Sequence, residues 1–233
     1  MIKPYYADND ITLYCGASEN VLPIITERVD VVLTDPPYGI NGSTGKINIS
    51  RGKGEYSEQF EDTPIYIKNV CVKIITMCID KYGSVVLTPG NKNFTLYPQP
   101  DSFGCFYQPA SIGLQKWGNA DSQPIFYYGK NPTKKNMGTP LSFTMTERPE
   151  ESEHPCPKPI KTWMKLMKSI SIEGQTILDP FSGSGTTLIA AKLLKRKAIG
   201  IEISEKYCEM IVNRLNKPMP LFEDVKPTDL FKQ

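Results

Sequence analysis

The chain has 233 residues, 22% of them charged and 39% hydrophobic, with a formal net charge of +2. That length fits one domain with a substantial core, and the composition is that of an ordinary soluble globule, while so small a surplus of charge does not by itself establish a nucleic-acid partner. Six scattered cysteines with no C-x-x-C pair and a single histidine argue against a zinc site and for reduced thiols in a cytosol-like compartment, and the opening MIKPYYADND lacks the apolar run of a signal peptide or membrane span.

In chain order, Ile11 to Tyr14 reads as a short strand ending at Cys15-Gly16, and Asn20 to Glu27 as a brief helix with Ser18 as its N-cap. Val31, Val32 and Leu33 form the β-branched, apolar run expected of a strand buried on both faces. It stops at Asp35-Pro36-Pro37-Tyr38-Gly39, because prolines lack the N–H and the free φ that a sheet ladder needs. Asp35 is thereby held at the carboxyl end of the strand, where open α/β sheets place their ligands. The resulting cup offers one carboxylate, the carbonyls of Asp35 and Pro36, and one flat ring, which suits a planar substrate carrying an NH2 group. A strand followed by a Pro-Pro turn with a capping Asp fits the same residues.

Residues 39–62 have no sustained period and hold five glycines, with Lys46, Arg51 and Lys53 among them, so they read as a long loop. Thr63-Pro64 opens a helix to about Lys81, with Pro64 at the first helical position and Val70, Ile74, Met77 and Cys78 on its buried face. Gly83 to Thr88 is a second buried strand, closed by Pro89-Gly90. Ser102 to Tyr107 and Pro124 to Tyr128 are two more, and Lys116-Trp117-Gly118-Asn119 between them has no clear form. Residues 129–153 read as a linker or a small recognition insert. A helix from about Ile160 to Ile170 follows, then the strand Thr176 to Leu178, a helix from Thr187 to Lys195, and the strand Ala198 to Ile201 ending at Glu202. Ser204-Glu205 begins a last helix to about Leu215, and 216–233 form a Pro-rich tail.

Between the strand at 176 and its helix lies Asp179-Pro180-Phe181-Ser182-Gly183-Ser184-Gly185-Thr186-Thr187. Gly183 and Gly185 permit a tight turn and close ligand approach, and the helix that follows points its free N–H groups and positive dipole end at that turn. Glu202 ends the next strand, where dinucleotide-binding folds place the acid that accepts ribose hydroxyls. A glycine turn that merely starts a helix is an equally common use of such a pair. No G-x-x-x-x-G-K-[ST] occurs, which disfavours a triphosphate P-loop.

Asp35-Pro36-Pro37-Tyr38 followed by the 179–187 run resembles the S-adenosylmethionine-dependent DNA amino-methyltransferases. His154 to Pro159 resembles that family's H-P-x-x-K-P segment, and Gly200-Ile201-Glu202 is a further landmark. The likeness runs from about Ile11 to Leu215. It implies an α/β, Rossmann-like methyltransferase fold: a mixed, mostly parallel sheet with helices on both faces, in the circularly permuted order in which the catalytic tetrapeptide precedes the cofactor loop. Residues 1–215 would form one catalytic domain, with 39–62 as a mobile DNA-facing loop and 91–153 as a small recognition region. The catalytic set carried over is Asp35, Pro36, Pro37 and Tyr38. The S-adenosyl-L-methionine set is Gly16, Ala17, Lys158, Pro159, the run Asp179, Pro180, Phe181, Ser182, Gly183, Ser184, Gly185, Thr186 and Thr187, and Glu202 with Ile203. Lys158 would face the cofactor pocket, although a solvent-facing lysine ahead of a helix fits its position too.

Asp35 and the Pro36 carbonyl would accept the two N–H hydrogens of an exocyclic amine while Tyr38 stacks on the base, with no metal and no covalent intermediate. In duplex DNA that base must first flip out. Asp rather than Ser at the first tetrapeptide position leans towards adenine N6 over cytosine N4. Family members often carry an acid after the glycine that ends the first strand; here Gly16 is followed by Ala17, so weaker cofactor binding is expected. Lys46, Arg51 and Lys53 are placed for phosphate contacts, and their joint exchange to alanine should weaken binding to many DNA sequences alike and lower the salt slope in gel-shift titrations.

Sequence reading would fall to 91–153, with Lys116, Trp117, Asn119, Lys134 and Lys135 as candidates and a short site or a second subunit as a corollary. A dinucleotide-dependent oxidoreductase would use Gly183, Gly185 and Glu202 but leave Asp35 to Tyr38 idle. An RNA or protein amide methyltransferase more often has Asn in place of Asp35, and a DNA-binding remnant would keep only the fold. In the tail, Pro218 to Phe222 and Thr228 to Phe231 resemble short apolar peptides that dock on partners such as sliding clamps, packing on the same domain being the plainer reading.

Overall fold

The computed structural model describes residues 2–39, 62–108, 113–116, 118–133, 139–145 and 158–217. Its core is a parallel set of strands: β2 (Ile11–Cys15), β3 (Val31–Thr34), β4 (Val85–Leu87), β10 (Thr176–Asp179) and β11 (Lys197–Glu202). Around them β1 (Tyr6–Ala7), β5 (Ser102–Tyr107), β8 (Ser122–Tyr128) and β9 (Phe143–Thr144) complete a nine-stranded sheet in the order β1-β2-β11-β10-β3-β4-β8-β5-β9. The pairs β1/β2, β4/β8 and β5/β8 are antiparallel and the other five parallel, so the sheet is mixed and mostly parallel. A separate two-stranded sheet pairs β6 (Gly113–Gln115) with β7 (Gly118–Ala120), antiparallel.

Helices cover both faces because the strands are apolar on both sides. Val31, Leu33 and Ile177 turn towards α4 (Ile160–Ile170), α5 (Thr186–Leu193) and α6 (Glu205–Asn216), whose buried Trp163, Leu166, Leu188 and Ile211 fill that layer. Val32, Leu178 and Ile199 turn the other way, against Val21 of α1 (Ser18–Val21) and the helical segment after Thr63. That segment is α2 (Pro64–Tyr66), a π-helical turn (Ile67–Cys71) and α3 (Val72–Tyr82), with the Thr63 hydroxyl accepting from the Tyr66 N–H as the N-cap.

Two local expectations change. The wide π turn shifts the inward face to Ile67, Cys71, Ile74, Ile75 and Cys78, leaving Met77 38% exposed, and swings Tyr66 and Val70 onto the cavity described below. Ser18 is not an N-cap: it is the first residue of α1, and its buried hydroxyl donates to the Pro180 carbonyl at 2.5 Å, while a 3-10 turn over Leu22–Ile24 ends the helix early. The stretch assigned to recognition, 91–153, contributes β5, β8 and β9 to the main sheet as well as the β6/β7 pair. No helix among the described residues is long and apolar enough to cross a membrane.

The strand order reverses direction between β10 and β3. From β10 the chain steps to β11 on one side; from β3 it steps to β4 on the other. A crevice outside the carboxyl ends of two such strands is the standard ligand position of an open α/β sheet. Asp179 ends β10, and Asp35 follows β3 directly.

Candidate active site

One cavity runs across that switch point. Its floor is Asp35 to Tyr38 on one side and Asp179 to Ser184 on the other; Ala17, Ser18, Glu19, Tyr66, Val70, Lys158, Trp163, Thr186, Thr187, Glu202, Ile203 and Tyr207 complete its wall. The strand-end carboxylate and the glycine turn, 144 positions apart in sequence between Asp35 and Asp179, thus face one space. The two halves are also wired together. The Thr34 hydroxyl donates to Asp179 Oδ1 at 2.6 Å, and the Trp163 indole N–H donates to Thr187 Oγ1 at 3.0 Å.

On the β3 side, Asp35 Oδ1 accepts from the Tyr38 hydroxyl at 2.5 Å and from the Thr88 hydroxyl, and lies 3.1 Å from Lys158 Nζ. The Tyr38 hydroxyl in turn accepts from Lys158 Nζ and from Gln123 Nε2. Burial, with the Asp35 charge beside it, pushes the Tyr38 phenol well above its ordinary range, so it remains a neutral donor. Asn93 Nδ2 donates to the Tyr38 carbonyl at 2.6 Å and to that of Gly39 at 3.3 Å, fixing the backbone as it leaves the cup. The Gly39 N–H donates to buried Asp62 Oδ1 at 2.6 Å.

On the β10 side, Gly185 precedes α5 with φ +77°, and a Cβ there would stand 2.7 Å from Ile211 Cγ1. Gly185→Ala is therefore expected to cost about 1–3 kcal/mol in unfolding free energy, read by denaturant melts, from the left-handed backbone and the overlap together. Glu202 is buried. Its Oε2 accepts from the Gly183 N–H at 2.8 Å and its Oε1 from the Ser204 N–H at 2.9 Å, and the Ile203 N–H is a third backbone donor to this carboxylate, which still leaves acceptor capacity for a ligand hydroxyl. Burial raises its carboxyl to about 7, against those backbone hydrogen bonds, which lower it. Burial likewise lifts Asp179 to about 6, opposed by the Thr187 and Thr34 hydroxyls and the Phe181 N–H.

Of the residues singled out by sequence, Asp35 to Tyr38, Ala17, Lys158, Asp179 to Ser184, Thr186, Thr187, Glu202 and Ile203 line the cavity. Gly16, Pro159 and Gly185 are not among its lining residues. Lys158 is not a solvent lysine: its side chain is 14% exposed and its ammonium sits in the Asp35 cup. Lys46, Arg51, Lys53, Trp117, Lys134, Lys135, His154 and the tail from Pro218 lie outside the described residues.

Sequence reasoning missed Thr88, Gln123, Glu19 and Tyr66. Thr88 was within reach, since it too ends a strand of the parallel set. Gln123 was not: it enters because β8 runs antiparallel, which brings its first residues to the carboxyl ends of its neighbours. Among the described residues no group of three or more His, Cys, Asp or Glu side chains is arranged to hold a metal ion.

This geometry, an acceptor carboxylate facing a glycine turn and a strand-end acid across one cavity, is that of a group-transfer enzyme with a nucleoside-containing donor. Residues 81–213, more than half the chain, match the family model described as DNA methylase, and the chain belongs to that family. It is 26% identical to the Type II methyltransferase M2.LlaDCHI of Lactococcus lactis subsp. cremoris, over 93% of both chains. It is 25% identical to M2.MboI of Moraxella bovis, over 100% of this chain and 98% of that one. Among solved structures, the cytosine-N4-specific PvuII DNA methyltransferase superposes with a TM-score of 0.66 at 17% identity, covering 93% of this chain and 91% of that one. The M1.HpyAVI-SAM complex does so with a TM-score of 0.64 at 20% identity, covering 88% and 99%.

Proposed function

We propose that the protein transfers a methyl group from S-adenosylmethionine to the exocyclic amine of a base flipped out of duplex DNA, and that the base is adenine, methylated at N6. The observation that carries this reading is the single cavity shared by Asp35 and the Gly183 turn. The donor set fits the cofactor. Glu202 would accept from the ribose hydroxyls, the turn at Gly183 and Ser184 would hold the methionine end, and Tyr66 and Val70 would offer an apolar wall to the flat ring. When bound, S-adenosylmethionine supplies an electrophilic methyl carbon on a sulfonium.

The protein's part is positioning and electrostatics. An exocyclic amine is a poor nucleophile because its lone pair is delocalised into the ring. Asp35 accepts one of its N–H hydrogens and the Pro36 carbonyl the other, which localises the lone pair and aims it across the cavity towards Gly183. Asp35 then takes up the proton the amine sheds, or passes it to solvent. Pro36 and Pro37 keep the two acceptors rigid. Flipping costs a few kcal/mol, which stacking on Tyr38 and these hydrogen bonds offset.

The choice of adenine rests on Asp at position 35. Both amines pose the same chemical problem, and the cytosine-N4-specific structural relative keeps that base as the second reading. Lys46, Arg51 and Lys53 would hold the phosphates, and a second copy of the chain would extend sequence reading. The setting that fits the bacterial relatives is a cytoplasmic one.

Tritiated methyl transfer to unmethylated DNA, RNA and protein, with base analysis of the product, tests the whole reading. Label in DNA as N6-methyladenine is the expected result. Label as N4-methylcytosine corrects the base alone. Label only in RNA or protein, or none at all, removes the function.

A further inference from the structure

Four side chains close a ring in the acceptor cup: Asp35, Tyr38, Gln123 and Lys158. Lys158 Nζ lies 3.1 Å from Asp35 Oδ1 and donates to the Tyr38 hydroxyl, at the hydroxyl edge of that ring and 5.0 Å from its centroid. Gln123 closes the ring, its Oε1 accepting from Lys158 Nζ at 3.2 Å and its Nε2 donating to the Tyr38 hydroxyl. The carboxamide is buried, at the start of β8, where Asn91 Nδ2 pins the neighbouring Ser122 carbonyl at 2.9 Å. Gly90 packs on Tyr38 so closely that a Cβ there would be 2.7 Å from its Cγ and Cδ1, so the ring cannot retreat in that direction.

A nitrogen cation paired with Asp35 at the edge of the Tyr38 ring stands where a donor to that carboxylate would arrive. We propose that the Lys158 ammonium occupies the seat of the target amine while DNA is absent, and that Gln123 is the positioning residue that latches it there. This rests on the reading that the cup receives a flipped base. Three physical points support it. An unoccupied, partly buried Asp35 carboxylate would be costly, and a cation that bonds it removes the cost. The lysine stem is long and flexible, so its head can leave without moving the backbone at Pro159. Its departure takes the counter-charge from Asp35 and a donor from the Tyr38 hydroxyl in one motion, which makes the cup ready only when a competing donor enters.

The occupied seat acts as a tax on base entry, because apparent affinity falls with the fraction of molecules whose seat is open. The test is steady-state tritiated methyl transfer to unmethylated, high-molecular-weight bacterial DNA, with cofactor affinity measured separately by calorimetry. Lys158→Met and Gln123→Leu are each expected to lower KM for DNA about five- to tenfold, with cofactor affinity within about twofold of wild type. Lys158→Arg, which keeps a cation of similar reach, should retain the wild-type KM. A purely structural role would instead raise KM or weaken cofactor binding in the first two variants.

Unchanged or raised KM in Lys158→Met and Gln123→Leu overturns the proposal, as does a fall in KM with Lys158→Arg equal to that with Lys158→Met. If either neutral variant fails to fold, the other decides. Failure of the parent reading shows separately, as a wild-type protein that binds cofactor and labels no DNA, and the seat proposal then falls with it.

Discussion

Replacing Asp35 with alanine is expected to abolish methyl transfer, by about 10^3-fold or more, while cofactor binding stays within about threefold of wild type. The expectation follows from where the carboxylate sits. It directly follows β3, on the far side of the cavity from Gly183 and Glu202, and the groups it bonds or pairs with, Thr88, Tyr38 and Lys158, all belong to the acceptor side. Removing it takes away the charge that draws on the amine hydrogens and leaves the cofactor wall untouched. Asp35→Asn, which keeps the shape but loses the charge and offers a donor, should fall between the two. The measurements are tritium transfer for turnover and calorimetry for cofactor affinity. Substantial turnover in the alanine variant would remove Asp35 from the mechanism, and loss of cofactor binding would merge the two sites into one.

The second large effect belongs to Glu202, and it depends on pH. Its folded carboxyl, raised to about 7 by burial, is protonated in much of the population at and below neutrality. Ribose hydroxyls donate best to the ionised form, so cofactor affinity should rise up to about tenfold per pH unit below 7 and level off above it. Binding near pH 6.5 should release protons, visible as a dependence of calorimetric heat on the ionisation enthalpy of the buffer. Glu202→Gln should weaken binding about 10- to 100-fold above pH 7 and flatten that profile.

The same shift has a signature without ligand. The folded value lies above the ordinary 4.5, so the folded state holds its proton longer than the unfolded one. The contribution of Glu202 to stability is therefore greatest below about 4.5, declines as pH climbs towards 7, and is constant beyond. Asp179, raised to about 6, adds a smaller slope of the same sign. Denaturant titrations across this range should show the decline, with the Glu202 share missing from Glu202→Gln.

Much of this arrangement was legible in the chain. The strands at 31–34, 85–87, 176–179 and 197–202 are short apolar runs closed by Asp35, by Thr88-Pro89, by Asp179 and by Glu202, and the helix at 160–170 has a regular apolar face, so their positions followed from local pattern. Asp35 and Glu202 could be found because a strand-end acid in a parallel sheet is a positional rule rather than a matter of contacts. What stayed hidden depended on tertiary context. The two-residue strands β1 and β9 carry too few residues to show a period. The π turn at 67–71 shifts a helical face without any Pro or Gly to announce it. Gln123 lies just before the apolar run Pro124 to Tyr128 that marked the strand, and only the antiparallel direction of β8 brings it to the cup. Ser18 offered a cap by composition and was drawn inward instead by the Pro180 carbonyl.

The clasp at Gly39 has an engineering consequence. Gly39 and Asp62, the residues on either side of positions 40–61, are tied together by one 2.6 Å hydrogen bond, while Asn93 holds the Tyr38 and Gly39 carbonyls. The two stems are thus a fixed splice junction. A graft of different length costs little in closure entropy, which grows only as about 1.5 RT ln n. Segments exchanged between relatives at this junction, with Gly39, Asp62 and Asn93 retained, form a cassette whose replacement should leave cofactor affinity unaltered while giving selection a free hand over the chain that enters and leaves beside the cup.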